Sequence, residues 1–268
     1  MIRRTVPQKT ISKQISLSGV GLHTGRHVNI TFKPAPADTG LVFVRDDIDG
    51  DNLINAHIKY ISNTDRGTNL DNGLFRIHTS EHVLAAITGL DIDNCFICLD
   101  GPEVPIMDGS SKFFINALEK AKIVEQNVLR EEFFPSEPIS YVCEDTGSKI
   151  SILPDDNYRV NTLVDYKTRV LGEQEASINH ISEFKNEISS ARTFSFLHEL
   201  ETLLENGLIK GGDLNNAIVY VDKPLAESNM DILKKAFNKE SISVTPNGIL
   251  DNLDLHYPNE AARHKLLD

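Results

Sequence analysis

A carboxylate and an imidazole stand side by side at the predicted start of a helix, where Glu81 and His82 follow His78. Adjacent residues on a helix point about 100° apart, so His82 can hold a metal ion while Glu81 reaches a water molecule bound to that ion. The pair also has a structural explanation, because Glu in a first turn complements the helix dipole and His near a helix end often lies at the surface. Taken alone, the pair favours that structural explanation.

A second pair, His264 and Asp268, is spaced i, i+4 on the last predicted helix. This spacing places an imidazole and a carboxylate about one turn apart on the same face. With one further ligand from a distant helix they would form a three-ligand zinc site whose fourth position is open to water, which is typical of catalytic zinc. An ordinary solvated ion pair explains the same spacing when the pair is considered alone.

Cys95 and Cys98 form a rival candidate for a metal site. They lie in a predicted strand, where residues three apart point to opposite faces. No second pair of Cys or His follows at the spacing of a zinc ribbon, so the sequence predicts two buried, apolar cysteines.

The elements that must position these residues are indicated by the periodicity of the first half. Period-two alternation predicts strands at 28–32 and 41–45. Further short strands are predicted around Ile58, Thr68 and Phe75, as in an inserted hairpin or small sheet. Apolar residues at helical spacing predict a helix over 79–90, with Ser80 as N-cap and Gly89 at its end. A strand at 94–99 and a second helix over 110–122 follow.

The second half begins after a predicted linker at 125–138, which mixes charges with prolines and keeps no period. Strands are predicted near Ile139 and at 149–153, 159–165 and 217–221. Helices are predicted over 194–206, ended by Gly207, and over 259–268. The strand-rich opening of each half indicates a weak internal duplication.

Composition narrows the class of protein. The 268 residues favour two domains, and 40% hydrophobic with 25% charged residues is typical of a folded globular chain. A net charge of -12 argues against general binding of nucleic acids. The sequence shows neither a signal peptide nor a membrane-spanning segment, and only three cysteines, so it predicts a cytoplasmic protein without stable membrane insertion.

Six ordered motifs extend over essentially the whole chain. They are SGVGLHTG at 18–25, TSEHVLAAITGLDIDN at 79–94, DGPEVPIMDGSSKFF at 100–114, SSARTFSF at 189–196, GLIKGGDLNNAIV at 207–219 and LHYPNEAARHKLLD at 255–268. In these motifs the chain resembles the zinc-dependent UDP-3-O-acyl-N-acetylglucosamine deacetylases of lipid A biosynthesis. The resemblance implies hydrolysis of the N-acetyl group of this UDP-sugar, a small-molecule substrate.

The fold that the resemblance implies is α+β, with two domains of similar topology, helices packed between two sheets, and a small insert in each domain. Residues 1–126 would form the N-terminal domain with a β insert. Residues 127–268 would form the C-terminal domain, incomplete at its C-terminus, with a βαβ insert at about 195–222. The active site would lie where the domains meet.

The resemblance also assigns roles to residues. The zinc ligands would be His82, His264 and Asp268. The catalytic residues would be Glu81, as general base, and Thr193, whose hydroxyl would bond to the tetrahedral intermediate. The substrate-binding residues would be Phe194, packing on the sugar, Lys265, toward the nucleotide, and Lys210 and Gly212 in the acyl-chain insert. A simple turn is the alternative explanation for the glycines at 211 and 212.

Members of this family continue beyond the last helix to a further Asp and a Gly-His motif, and some carry a hydroxyacyl dehydratase domain downstream. The resemblance therefore predicts a C-terminally truncated chain of low activity. The alternative function is that of a largely inactive fragment, of the deacetylase or of the longer fusion, which binds zinc or substrate weakly.

Overall fold

The computed structural model of the chain describes residues 2–64, 66–200, 210–222, 234, 239–251 and 253–268. These residues form a mixed α/β structure of small sheets and few helices. The strands of the first half are β1 (Ile2–Arg3), β2 (Pro7–Ile11), β3 (Ile15–Val20), β4 (His27–Pro34), β5 (Leu41–Arg45), β6 (Leu53–Asn55), β7 (Ile61–Asn63), β8 (Asn69–Asp71), β9 (Arg76–Ile77), β10 (Cys95–Leu99), β11 (Ile123–Leu129) and β12 (Glu132–Phe133). Its helices are α1 (Glu81–Gly89) and α2 (Lys112–Ala121).

A five-stranded sheet in the order β3-β4-β10-β5-β6 forms the centre of the first half. Strand β4 alternates as its sequence predicts, with Val28, Ile30 and Phe32 buried. Helices α1 and α2 cover the sheet, and Phe114 of α2 packs edge-on against Phe32 at 6.3 Å between ring centroids. The predicted strands at 28–32, 41–45 and 94–99 and both predicted helices are confirmed.

The insert between β6 and α1 is the three-stranded sheet β7-β8-β9. The prediction of short strands is confirmed around residues 68 and 75, but it is wrong at Ile58, which begins a 3-10 turn. The side chain of His57 accepts a hydrogen bond from Lys59 N and caps that turn, so the strand begins only at Ile61.

The predicted linker at 125–138 is wrong for much of its length, because strand β11 pairs antiparallel with β2, and β12 pairs with β1. The register of β11 shifts between Glu125 and Leu129. A bulge of this kind interrupts period-two alternation, which is why the segment carries no pattern in the sequence.

In the second half the strands are β13 (Ile139–Val142), β14 (Lys149–Ile152), β15 (Val160–Asp165), β16 (Glu173–Ile178), β17 (Phe194–Phe196) and β18 (Ile218–Tyr220). Its helices are α3 (Phe184–Glu187) and α4 (Glu260–Leu267), with a 3-10 turn at Ile181–Glu183. Strands β13 with β14 and β15 with β16 form antiparallel pairs, and α4 packs on the second pair.

The predicted helix over 194–206 is wrong at its start. Phe194–Phe196 is strand β17, which pairs in parallel with β18, and residues 197–200 are helical. Aromatic and β-branched side chains at both strands pack in one apolar cluster, and this tertiary contact overrides the helical spacing. Residues 201–209, including the predicted end at Gly207, lie outside the described residues.

The largest apolar core joins the two halves of the chain. It consists mainly of residues between Ile11 and Ala121, but it also includes Ile178, Phe184 and Leu267. Gly89 marks a close approach of the two halves, because a Cβ built at this position would lie 2.1 Å from the Phe184 ring. A glycine is therefore needed near the end of α1 so that Phe184 of the second half can pack against the helix.

Within the described ranges, no helix is long and apolar enough to cross a membrane.

Gly89→Ala tests this contact. Alanine normally stabilises a helix by about 1 kcal/mol relative to glycine, but here the methyl group must displace Phe184, so we expect a net loss of about 1–3 kcal/mol in the free energy of unfolding. Thr88→Ala, one residue earlier on the exposed side of α1, should change it by less than about 0.5 kcal/mol. Equal values for the two variants in denaturant titrations would show that the Phe184 contact does not constrain this position.

Candidate metal centre

The start of α1 is fixed by the neighbouring insert. Ser80 takes the N-cap position, but its hydroxyl donates to Thr68 O at 2.8 Å and makes no bond to the helix. Ser80 N also donates to Thr68 O, at 3.0 Å. Glu81 Oε2 accepts from Thr68 N at 2.8 Å. Ser80 therefore joins the helix to the insert, and the same segment holds the carboxylate of Glu81.

The start of α4 is fixed by a buried ion pair. Glu260 is completely buried, and its carboxylate accepts from Arg192 N at 3.0 Å and Arg192 Nε at 2.8 Å. His256 N donates to the other carboxylate oxygen at 2.7 Å. Each bond involves an ionised group, and such bonds are stronger than neutral ones. This pair sets the position of α4 relative to the segment that leads into β17.

His82, His264 and Asp268 come together where α1 and α4 meet. Each offers one ligand atom, and these atoms lie within 4.8 Å of one another. His264 Nε2 is 3.5 Å and His82 Nε2 is 4.0 Å from Asp268 Oδ1, and the two imidazole rings pack edge-to-face at 5.1 Å between centroids. Among the described residues this is the one cluster of at least three His, Cys, Asp or Glu side chains with such geometry.

Burial decides the charge of these groups. It lowers the pKa of His82, and nearby His264 lowers it further. Burial likewise lowers the pKa of His264 in spite of Asp268. Burial alone would raise the pKa of Asp268, but the neighbouring His264 ring and the ammonium group of Lys265 outweigh it, and the net shift is downward. Two neutral imidazoles beside an ionised carboxylate form a donor set that suits a divalent cation.

The hydrogen bonds of the two imidazoles fit a metal as well. His264 Nδ1 donates to Ala191 O at 3.0 Å, which leaves the lone pair on Nε2, the atom that faces Asp268. His82 Nδ1 is buried without a hydrogen-bond partner among the described residues. The Nε2 atom of His82 is the one that lies 4.0 Å from Asp268 Oδ1, so both imidazoles turn Nε2 toward this carboxylate.

The rival cysteine pair lacks these properties. Cys95 and Cys98 are both buried and unpaired, and burial raises the pKa of the Cys95 thiol to about 12. Only a thiolate binds a metal well. Both residues therefore pack as small apolar side chains of β10, in agreement with the sequence analysis.

Thr193 is held by a turn at 108–111 that spans the two halves. Gly109 has φ +81°, and its carbonyl accepts from Thr193 N at 2.7 Å. In the same turn Ser111 Oγ donates to His82 O at 2.7 Å. A Cβ at Gly109 would lie 2.1 Å from Asn216 O. One turn thus fixes the backbone of Thr193 relative to that of His82, and glycine is required there.

A cavity of about 430 Å³ opens beside the cluster. Its lining includes seven of the predicted site residues, namely Glu81, Thr193, Phe194, Gly212, His264, Lys265 and Asp268. Burial raises the pKa of Glu81 above its ordinary value, against a smaller opposing effect of His82. Lys265 Nζ donates to Asp268 Oδ2 at 2.6 Å and lies 5.9 Å above the centre of the Phe194 ring.

The other predicted residues are distributed around the cavity. His82 is buried behind the lining, and Lys210 is exposed beside Gly25, outside the described residues that line the cavity. Sequence reasoning assigned no role to Leu22 and His23, although they belong to the SGVGLHTG motif and both line the cavity. The segment at 66–68 is also part of the lining, and no sequence signal marks it.

The sequence of the chain is similar to proteins of one known family. The sequence profile described as UDP-3-O-acyl N-acetylglycosamine deacetylase matches residues 8–233. The chain belongs to this family. A UDP-3-O-acyl-N-acetylglucosamine deacetylase of Myxococcus xanthus is 38% identical over 263 residues, which is 97% of this chain and 75% of the relative. One of Acidithiobacillus ferrooxidans is 36% identical over 266 residues, 98% of this chain and 79% of the relative.

Another group of relatives in the family is longer. The bifunctional enzyme LpxC/FabZ of Chlorobaculum tepidum is 45% identical over 266 residues, which is 98% of this chain but 57% of the relative. The chain therefore spans little more than half the length of such relatives.

Gly109→Ala tests the turn that connects the halves. The new methyl group would overlap Asn216 O, and the backbone angle is unfavourable for alanine, so we expect a larger loss of stability than the backbone angle alone causes. Gly147→Ala is the matched control, since Gly147 also has positive φ (+70°) but no atom within 4 Å of an added Cβ. The free energy of unfolding should fall by at least about 1 kcal/mol more in Gly109→Ala. Equal losses would mean that the turn adapts without strain.

Proposed function

We propose that this chain hydrolyses the N-acetyl group of UDP-3-O-acyl-N-acetylglucosamine and releases acetate, as the names of its relatives and the site support. The observation that carries the proposal is the meeting of His82, His264 and Asp268 beside a cavity that Glu81 and Thr193 also line. This step belongs to the biosynthesis of lipid A.

The metal would be zinc, held by His82, His264 and Asp268. Two imidazoles and one carboxylate are a ligand set of catalytic zinc sites, where the fourth position stays open. Zinc, when bound, lowers the pKa of water toward neutrality and polarises a carbonyl oxygen.

Glu81 is the general base of the proposed reaction. Thr68 N holds Oε2 of its carboxylate, and the residue lines the cavity next to His82 in the sequence. A carboxylate in this place takes a proton from water and passes it to the leaving amine nitrogen. The bond to Thr68 keeps the side chain in one orientation, so it points to the cavity without rearrangement.

Thr193, Phe194 and Lys265 orient the substrate. The Thr193 hydroxyl donates a hydrogen bond to the oxygen that becomes negative during hydrolysis, and its backbone is fixed by Gly109. Phe194 offers an aromatic face to the sugar, and the ammonium group of Lys265 attracts the anionic nucleotide.

The acyl chain occupies the apolar part of the cavity. This part is lined by Leu22, Leu200, Ala217 and Val219, and Gly212 lies at its edge. A glycine there allows the ligand to approach the backbone closely. Lys210 adds a positive charge near this end of the site.

The architecture that accompanies this function has two domains, residues 1–126 and 127–268, with helices between two sheets and the insert at about 195–222. Two smaller apolar clusters are separate from the largest core and consist almost entirely of residues beyond 165. They support a second core in the second half of the chain. The three free cysteines support a reducing compartment, the cytoplasm.

Replacing Glu81 separates catalysis from metal binding. In Glu81→Ala we expect kcat to fall by about 10² to 10⁴ while zinc content stays unchanged, since the proton transfer is lost and all three ligands remain. Acetate release and zinc per chain are the two measurements. Loss of zinc in this variant would make Glu81 a ligand instead of a base.

Replacing His264 has the opposite signature. His264→Ala removes one of three protein ligands, so zinc per chain should fall far below that of the unmodified protein after dialysis against a weak chelator. His27→Ala, an exposed histidine on β4, is the control and should retain zinc. Full zinc content in His264→Ala would exclude the proposed ligand set.

The function itself is tested by acetate release from UDP-3-O-acyl-N-acetylglucosamine by the zinc-loaded protein. Turnover that disappears with chelation and returns with zinc supports the proposal. Zinc binding without turnover would instead favour the alternative, a fragment that binds zinc or substrate without catalysis.

A further inference from the structure

We propose that Glu103 is a positioning residue of the site, which holds the loop at 21–25 and the entry to α1 in the geometry that substrate binding and catalysis require. The inference rests on the proposed function, because the loop and the helix contribute Leu22, His23 and Glu81 to the cavity. Sequence reasoning gave Glu103 no role.

The carboxylate of Glu103 is completely buried and accepts four hydrogen bonds. Oε1 accepts from His23 N at 2.8 Å and from Thr79 Oγ1 at 3.2 Å. Oε2 accepts from Thr24 N at 2.8 Å and from Thr24 Oγ1 at 2.6 Å. All four donors are uncharged. A buried carboxylate is costly unless its oxygens are satisfied, so it fixes the groups around it tightly.

The backbone around Glu103 is held on both sides. Ile106 N donates to Val20 O at 2.9 Å, and Gly21 forms a β-bridge with Pro105. On the other side Val104 N donates to His78 O at 3.1 Å. These backbone contacts hold the main chain of Glu103 in place, so its side chain contacts the loop from a fixed position.

Gly21 shows how closely the carboxylate and the loop fit. A Cβ at this position would lie 2.4 Å from Glu103 Oε2 and 2.6 Å from Thr24 Oγ1. Any other residue would push the carboxylate out of its place. Glycine is needed at position 21 because the Glu103 carboxylate occupies the space that a Cβ atom would fill.

The loop transmits this position to the cavity. Leu22 and His23 line the cavity, and Leu22 O accepts from Gly211 N at 3.0 Å. A Cβ at Gly211 would lie 2.3 Å from Gly21 O, so the two backbones are in direct contact. A shift of the loop would move the segment that contains Gly212, the apolar side of the cavity.

Glu103 also contacts the residue that leads into α1, Thr79. Thr79 has φ +57°, a left-handed backbone angle that is rare and strained for a β-branched residue. Its hydroxyl is anchored on Glu103, two positions before Glu81. The carboxylate thus compensates for strain at the residue that directs the chain into the helix.

Glu103→Gln is the direct test. The amide NH2 group would face at least one N–H donor, so the loop must move away. We expect KM for UDP-3-O-acyl-N-acetylglucosamine to rise about 10-fold and kcat/KM to fall about 10- to 100-fold, with zinc content unchanged. Thr24→Val removes one donor and should raise KM about 3-fold. Glu119→Gln, at a surface carboxylate that pairs with Lys185, is the matched control and should match the unmodified protein.

A merely structural role has a different signature. Partial unfolding lowers kcat and zinc per chain together and leaves KM unchanged, and this result in both variants would overturn the proposal. Unchanged KM and kcat in Glu103→Gln would overturn it as well.

Hydrogen exchange separates this inference from the proposed function. The amides of His23 and Thr24 should exchange faster in Glu103→Gln than in the unmodified protein, while those of β10 should not change. If the unmodified protein releases no acetate, the proposed function fails, and protection of these two amides still decides whether Glu103 holds the loop. Equal protection in the variant would show that it does not.

Discussion

Two buried imidazoles from the two halves of the chain must meet, and the geometry of the site depends on this contact. His82 and His264 are 3% and 2% exposed, and their rings lie edge-to-face. Burial keeps both rings neutral, so no mutual charge repulsion opposes the contact and both can offer a lone pair. Glu81 lies on the same helix as His82, and the cavity that His264 lines also contains Thr193, which the turn at 108–111 holds.

Polar contacts of the buried backbone keep the halves in place. The turn at 108–111 bonds to His82 O and Thr193 N, and the pair of Arg192 and Glu260 fixes the start of α4. Such bonds are directional, whereas apolar packing tolerates small displacements. The apolar core therefore brings the halves together, and the polar bonds define the positions of the reacting groups.

The sequence predicted the elements that carry a strong local pattern. Helix α1 followed from apolar spacing and the last helix from the start signal at Pro258 and Asn259, and both candidate metal pairs were visible as short motifs. Strand β17 was predicted as helix because its partner, β18, is distant in sequence. The roles of Gly109 and Ser111 could not be predicted, since they depend on backbone atoms that approach only in the folded chain. Family resemblance connected His82 with His264, and spacing alone could not.

The central claim is that one metal ion is held by His82, His264 and Asp268. X-ray absorption at the zinc edge of the zinc-loaded protein tests it most directly. The account predicts only nitrogen and oxygen neighbours at about 2.0–2.2 Å, with the multiple-scattering pattern of two imidazoles. A sulfur neighbour at about 2.3 Å would contradict it, because the ion would then be bound by a cysteine, such as Cys95 or Cys98.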